Sequence, residues 1–170
     1  GSGELNATFI NNGLVRAFPS DNGNGRLRLI SGGKTNNAVI VADPGGVIEI
    51  TAITVTQNSE GGGPGLLVAD GGTVEVSSNQ SLNGGVLRAE NGGQLVRLGN
   101  GTLTISDLTL EGDLDLLPGG NMYVNGDSLV NDGAVLINDS ASTTNSWVQF
   151  NGNASVTGTG RFLLGGGGDD

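Results

Sequence analysis

The sequence predicts an all-β fold, a right-handed parallel β-helix of about six to seven coils with three short strands per coil and no substantial helix. Three observations carry that prediction. Of 170 residues, 33 are glycine and 19 asparagine. The apolar residues alternate with period 2 in short runs, which places them on one side of strands. Those runs recur at intervals of 20–27 residues, and a repeat of that length is one turn of a solenoid.

The repeat opens with a small residue followed by an alternating strand. Its members are G-LVRA at Gly13, A-VIVA at Ala38, G-LLVA at Gly65, G-VLRA at Gly85, G-DLDL at Gly112, G-AVLI at Gly133 and G-RFLL at Gly160. Four of them turn at a glycine pair, Gly45–Gly46, Gly71–Gly72, Gly92–Gly93 and Gly119–Gly120, into a second strand: VIEI, TVEV, QLVRL and NMYV. A third apolar segment closes several repeats, as in AITVTQ and GTLTISDLTL. Corners need positive φ, which Gly supplies freely and Asn tolerates. Handedness follows from the preference of parallel crossovers.

Stacking the repeats predicts columns. The first strand should point Val15/Ala17, Ile40/Ala42, Leu67/Ala69, Leu87/Ala89, Leu114/Leu116, Val135/Ile137 and Phe162/Leu164 inward. The second should point in Leu27/Leu29, Ile48/Ile50, Val74/Val76, Val96/Leu98, Met122/Val124 and Val148/Phe150. Outward, a charge ladder is expected to pair Arg28 with Glu49, Glu75 with Arg97 and Arg88 with Asp115, with Glu49 and Glu75 as like-charged neighbours. Such pairs contribute about 0.2–1 kcal/mol each. Val41 with Val68, and Leu136 with Leu163, form outward apolar neighbours suited to lateral contact between rods. Segments 18–25 and 57–65 should be loops outside the rod.

Residues 1–170 are expected to form a single domain with incomplete coils at both ends. Residues 4–12 read as the tail of a coil, and Gly165–Asp170 as the opening of another. Open sheet edges at both ends, without a lysine-rich edge strand, invite pairing with another chain. A contact that does not close into a ring generates a filament. Two readings follow: the chain is a fragment of a longer secreted array, or the missing strands come from a neighbour, so that the partner is a second copy stacked head to tail.

Composition excludes several functions. With no His and no Cys, thiolate and imidazole zinc sites, disulfides and Ser-His-Asp or Cys-His catalytic sets are unavailable. A net charge of −10 argues against nucleic acid and against anionic membrane surfaces, and no apolar run is long enough to cross a bilayer. The chain opens GSGELNATF, without a basic leader, and reads as a mature product or an excised piece. Glycoside hydrolysis needs two carboxylates flanking the sugar. Asp113 and Asp115 would stand roughly 7 Å apart on one strand face, but one Trp and one Tyr provide little aromatic platform, so both read as solvated residues. No cofactor is expected. Asp21 in DNGNG and Asp169 and Asp170 in GGGGDD are the positions a calcium ion would take. Stacked Thr-x-Thr pairs (Thr54/Thr56, Thr102/Thr104, Thr157/Thr159) are too interrupted for an ice-binding array. Five glycosylation sequons occur, at Asn6, Asn79, Asn100, Asn138 and Asn153.

The phrases INNGLVRA, LLVADGGTVEV and GGVLRAENGGQLVRLGNGTLTIS resemble the degenerate β-solenoid repeats of large bacterial surface proteins: haemagglutinin-like adhesins, autotransporter passengers and related exoproteins. The resemblance covers nearly the whole chain and implies secretion, a stalk or fibre role and, in some cases, adhesion. The expected function is thus a non-catalytic extracellular structural module at a cell surface. The alternatives are an adhesin stalk that binds a receptor or glycan on a host or cell surface, and a polysaccharide lyase or hydrolase.

Overall fold

The structure, a computed structural model, describes residues 2–19, 25–58, 63–137 and 144–165. Among them there is no helix, and every strand pairing is parallel. The chain winds as a β-solenoid of about six turns, with one short strand per turn on each of three faces.

The first face is an eight-stranded sheet: Ser2–Leu5, Gly25–Ile30, Gly46–Thr51, Thr73–Ser77, Gln94–Arg97, Leu114–Leu116, Ala134–Ile137 and Arg161–Leu164. The second carries Phe9–Asn11, Lys34–Asn36, Thr54–Gln57, Gln80–Asn83 and Trp147–Phe150. The third carries Leu14–Ala17, Val39–Ala42, Leu66–Asp70, Val86–Glu90 and Ser155–Thr157. Two long strands, Gly101–Glu111 and Gly120–Asn131, run from the second face onto the third. Their register shifts between Ser106 and Leu108, where Asp107 takes a φ of +51°.

Aliphatic side chains from all three faces meet in one continuous core, with Leu29, Ile48, Val74, Leu82, Leu87, Leu103 and Met122 fully buried. Each such side chain contributes about 1.5–3 kcal/mol on leaving water. The core is therefore supplied coil by coil, and no single turn could form it alone.

Corners set the register. At Gly92–Gly93 the two glycines do different work. Gly92 has a φ of +80° with open space around it, so its demand is conformational. A Cβ on Gly93 would lie 2.0 Å from the carbonyl oxygen of Ala69 in the preceding coil. Gly46 and Gly72 face carbonyls in the same way. The pairs 45–46, 71–72 and 92–93 lead from the third face to the first, whereas Gly119–Gly120 leads from the first to the second.

That last difference corrects the expected columns. Val15, Ile40, Leu67 and Leu87 stack as expected, but Leu110 follows Leu87, not Leu114. Leu114, Val135 and Phe162 instead continue the first-face column Leu27, Ile48, Val74 and Leu95. Met122/Val124 and Val148/Phe150 belong to the second face. Because the long strand Gly101–Glu111 already covers two faces without a glycine pair, the motif at Gly112 opens a different face from its predecessors. A second slip is local: Leu95 and Arg97 point inward, not Val96 and Leu98. Gly93 packs on Ala69 and Gln94 N–H donates to the Gly72 carbonyl at 2.9 Å, which pins that strand one residue away from the expected alternation.

The ends also differ from expectation. Residues 2–17 place one strand on each face, and residues 147–164 do the same. Residues 4–12 thus belong to a full turn, not to the tail of one.

Gly92→Ala should cost about 1 kcal/mol, the strain of a left-handed alanine. Gly93→Ala should cost about 3 kcal/mol or more, because backbone must shift. Urea denaturation of the two variants reads the difference; equal losses would contradict the division of labour between the two glycines.

Candidate functional site

Polar and charged residues are distributed by face, so each face is a different surface. On the outward side of the first face, Arg28 lies beside Glu49, as the sequence predicts, with Nε 3.2 Å from Oε2. Arg28 also reaches Glu4 at 2.6 Å. Glu49 and Glu75 are register neighbours, and Arg26 reconciles them. Its Nη1 donates to Glu49 Oε2 at 2.9 Å and to Glu75 Oε2 at 2.6 Å. Burial works to raise the Glu49 pKa. Hydrogen bonds from Arg26 and Thr51, with the charges of Arg28 and Arg26, outweigh it and hold the carboxyl below 4.5.

Two expected pairs are corrected. Glu75 faces Val96, not Arg97, because of the one-residue slip. Arg88 donates from Nε to Glu111 at 2.5 Å, not to Asp115, because Asp115 lies on the first face between Val96 and Leu136. On the third face Arg16 forks onto Asp43 through two hydrogen bonds of 2.8 and 2.7 Å. Val41 and Val68, expected as outward apolar neighbours, are 9% and 5% exposed. They are not available for lateral contact; Leu163, 40% exposed beside Leu136, is.

Two cations are inside. Arg97 occupies the inward column between Val76 and Leu116 and is fully buried. It donates to the carbonyls of Val76 (2.9 Å), Ser78 (2.9 Å) and Leu98. Lys34 stands between Phe9 and Val55 in the second-face column. Its Nζ donates to the carbonyls of Ala7, Ile30, Ser31 and Gly32. Both clamp corners where carbonyls converge, and burial lowers the pKa of each. A buried polar ladder accompanies them: Asn11 donates to Asn36 Oδ1 at 2.8 Å, and Asn36 to Gln57 Oε1 at 3.4 Å. Each also donates from its amide to a backbone carbonyl one coil on. The sequence carries a trace of this ladder, since Asn11 and Asn36 both stand three residues before the first apolar residue of the following strand.

The second face is different. Its outward columns are Thr54–Ser81–Thr104–Tyr123–Gln149 and Thr35–Thr56–Asn83–Ser106–Asn125, all uncharged. The chain's one Tyr and one Trp meet there, with ring centroids of Tyr123 and Trp147 4.8 Å apart, edge to face. A shallow trough of about 480 Å³ runs alongside, lined by Thr54, Asn79, Ser81, Thr102, Thr104 and Tyr123. Sequence reasoning noted the Thr pairs but, with the later columns out of frame, did not bring Tyr123 onto them.

Asp115 lies on the first face, and Asp113, in the corner just before its strand, accepts the Ala134 N–H on Oδ1 at 2.9 Å. Among the described residues no three His, Cys, Asp or Glu side chains converge on a metal position. Asp21, Asp169, Asp170 and the sequon at Asn138 lie outside the described residues. Asn6, Asn79, Asn100 and Asn153 are exposed. Compared with known proteins, the chain matches no family model, no curated protein and no solved structure.

Lys34 is the only lysine, so its titration is separable. With a folded pKa below 10.5, the unfolded state holds the proton more tightly across the window between the two values. Stability should therefore rise with pH through that window; the slope should vanish in Lys34→Met, as measured by urea denaturation from pH 8 to 10.5. Arg26→Met should destabilise by about 1 kcal/mol at pH 7. That difference should close as pH falls below 4.5 through the folded pKa of Glu49, when the carboxylates lose the charge that Arg26 bridges.

Proposed function

We propose that this chain is a non-catalytic extracellular structural module, a rod-like subunit that stacks head to tail into a surface fibre. The observation that carries the reading is the state of the two terminal coils. In the last coil, inward positions are uncovered: Phe150 is 46% exposed, Val156 42% and Leu164 84%. In the first coil, Leu5, Phe9 and Val15 are only half-buried. Uncovered apolar side chains beside unpaired parallel strands are what another coil would cover.

Carrying the internal register across the ends supports a second copy as that cover. Phe162 would fall over Gly3, Leu164 over Leu5 and Phe150 over Phe9. A large ring over a glycine and leucine over leucine are sterically compatible. Arg161 would fall over Ser2, diagonal to Glu4, the offset by which Arg26 reaches Glu49 within the chain. Four of the six arginines already tie one coil to the next (Arg16, Arg26, Arg28 and Arg88), so Arg161 would repeat an internal device. The resemblance of the repeats to bacterial surface proteins supports the extracellular setting.

Sedimentation velocity tests the assembly. The chain should form larger species with rising concentration, more readily at high salt, which screens repulsion between rods of net charge −10. Leu164→Asp and Arg161→Glu, at exposed positions of the last coil, should each suppress it. A monodisperse monomer at high concentration and high salt would sink the proposal.

A further inference from the structure

We infer that the uncharged second face is a binding surface for a neutral oligosaccharide, seated in the trough between Thr54 and Tyr123 with the Tyr123–Trp147 pair at one end. Four features support this. First, the trough is built from hydroxyl and amide side chains, which both donate and accept hydrogen bonds, as sugar hydroxyls do. Second, the hydroxyls are idle. Among the described residues, the hydroxyls of Thr54, Ser81, Thr102 and Thr104 make no hydrogen bond to protein, in contrast to Thr51 and Ser77 on the first face, whose hydroxyls lie 2.8 Å apart.

Third, one acceptor on this face, beside Trp147, is buried without a partner. Asn121, between Thr102 and Trp147 in register, has an unpaired Oδ1. Buried polar atoms normally find a partner. Fourth, Trp147 remains 36% exposed while touching Tyr123. An aromatic with one wet side offers an apolar surface to the C–H face of a sugar and a polar rim to its hydroxyls.

Charge selects the ligand class. No carboxylate or cation lines the trough, and a chain of net charge −10 repels acidic glycans at long range. The ladder spacing of about 4.8 Å places Thr54 and Tyr123 roughly 14 Å apart over three steps, room for a short oligosaccharide. An ordered-water or ice surface would want one hydroxyl type repeated along the face. Asn83, Ser106, Tyr123 and Trp147 interrupt such a lattice. The trough lies on a flank within one chain; of the residues invoked, Trp147 alone is on the last-coil strand that carries Phe150, with its side chain outward.

The test uses the full chain with cellohexaose, laminarihexaose, mannohexaose, chitohexaose and, as the acidic control, hexagalacturonate. Trp147 is the only tryptophan, so its emission reports the site directly, with isothermal titration calorimetry beside it. At least one neutral hexasaccharide should shift the emission saturably. Tyr123→Ala and Thr104→Lys should each weaken its binding by roughly tenfold, with the melting curve of Thr104→Lys unchanged. Hexagalacturonate should not bind. The inference is overturned by no saturable binding of any neutral sugar at millimolar concentration, by binding that survives both variants, or by equal affinity for hexagalacturonate. Thermal hysteresis on freezing without sugar binding would assign the face to ice instead.

Discussion

Each coil of this protein lies on the backbone of the coil before it, and the corners are where that contact is tightest. At Gly46, Gly72 and Gly93 the neighbouring carbonyl is so close that a single carbon more would collide. Everything else follows from those close approaches. They set the rise between coils, pin the start of each first-face strand, and so decide which side chains enter the core. The inward position of Arg97, against the alternation that charge would favour, is a consequence of Gly93 sitting on Ala69.

Sharp corners also gather carbonyl oxygens, and the interior polar residues answer that demand. Lys34 and Arg97 each collect carbonyls at a bend, and the Asn11–Asn36–Gln57 ladder does the same at the bend between the second and third faces. An unpaired buried cation is normally destabilising. Here the alternative is several buried carbonyls without donors, each costing about 1–3 kcal/mol. Burial disfavours the charge of both cations and lowers the pKa of each, while hydrogen bonds to the carbonyls hold them in place.

With the interior settled by backbone contacts, the outward residues divide the rod into unlike surfaces. The first and third faces hold ion pairs that cross from coil to coil, while the second carries hydroxyls, amides and the aromatic pair. The charged ties strengthen the rod along its axis, and the uncharged face is left with hydrogen-bonding capacity that the chain does not use. Trp147 shares its strand with Phe150, so the aromatic end of that face borders the open edge of the last coil.

The alternation of apolar residues and the glycine pairs at intervals of 20–27 residues determined by themselves that this chain would wind as a parallel β-solenoid, with Val15, Ile40, Leu67 and Leu87 in one column. The Arg28–Glu49 pair was legible for the same reason, since coils two to four share one repeat frame. Only the tertiary structure decided what happened after Gly93. There the same G-x-Φ-x-Φ phrase serves two different faces, and local pattern carries no label for which. The face is set by how much backbone the preceding corner uses, and in the fifth coil one strand of eleven residues rounds a corner without a glycine pair. That choice moved Asp115 away from Arg88 and brought Tyr123 onto the column of Thr54, Ser81 and Thr104, with Trp147 packed against it. Contacts between residues some twenty-five positions apart depend on the summed length of every intervening bend, a sum that only the folded backbone fixes.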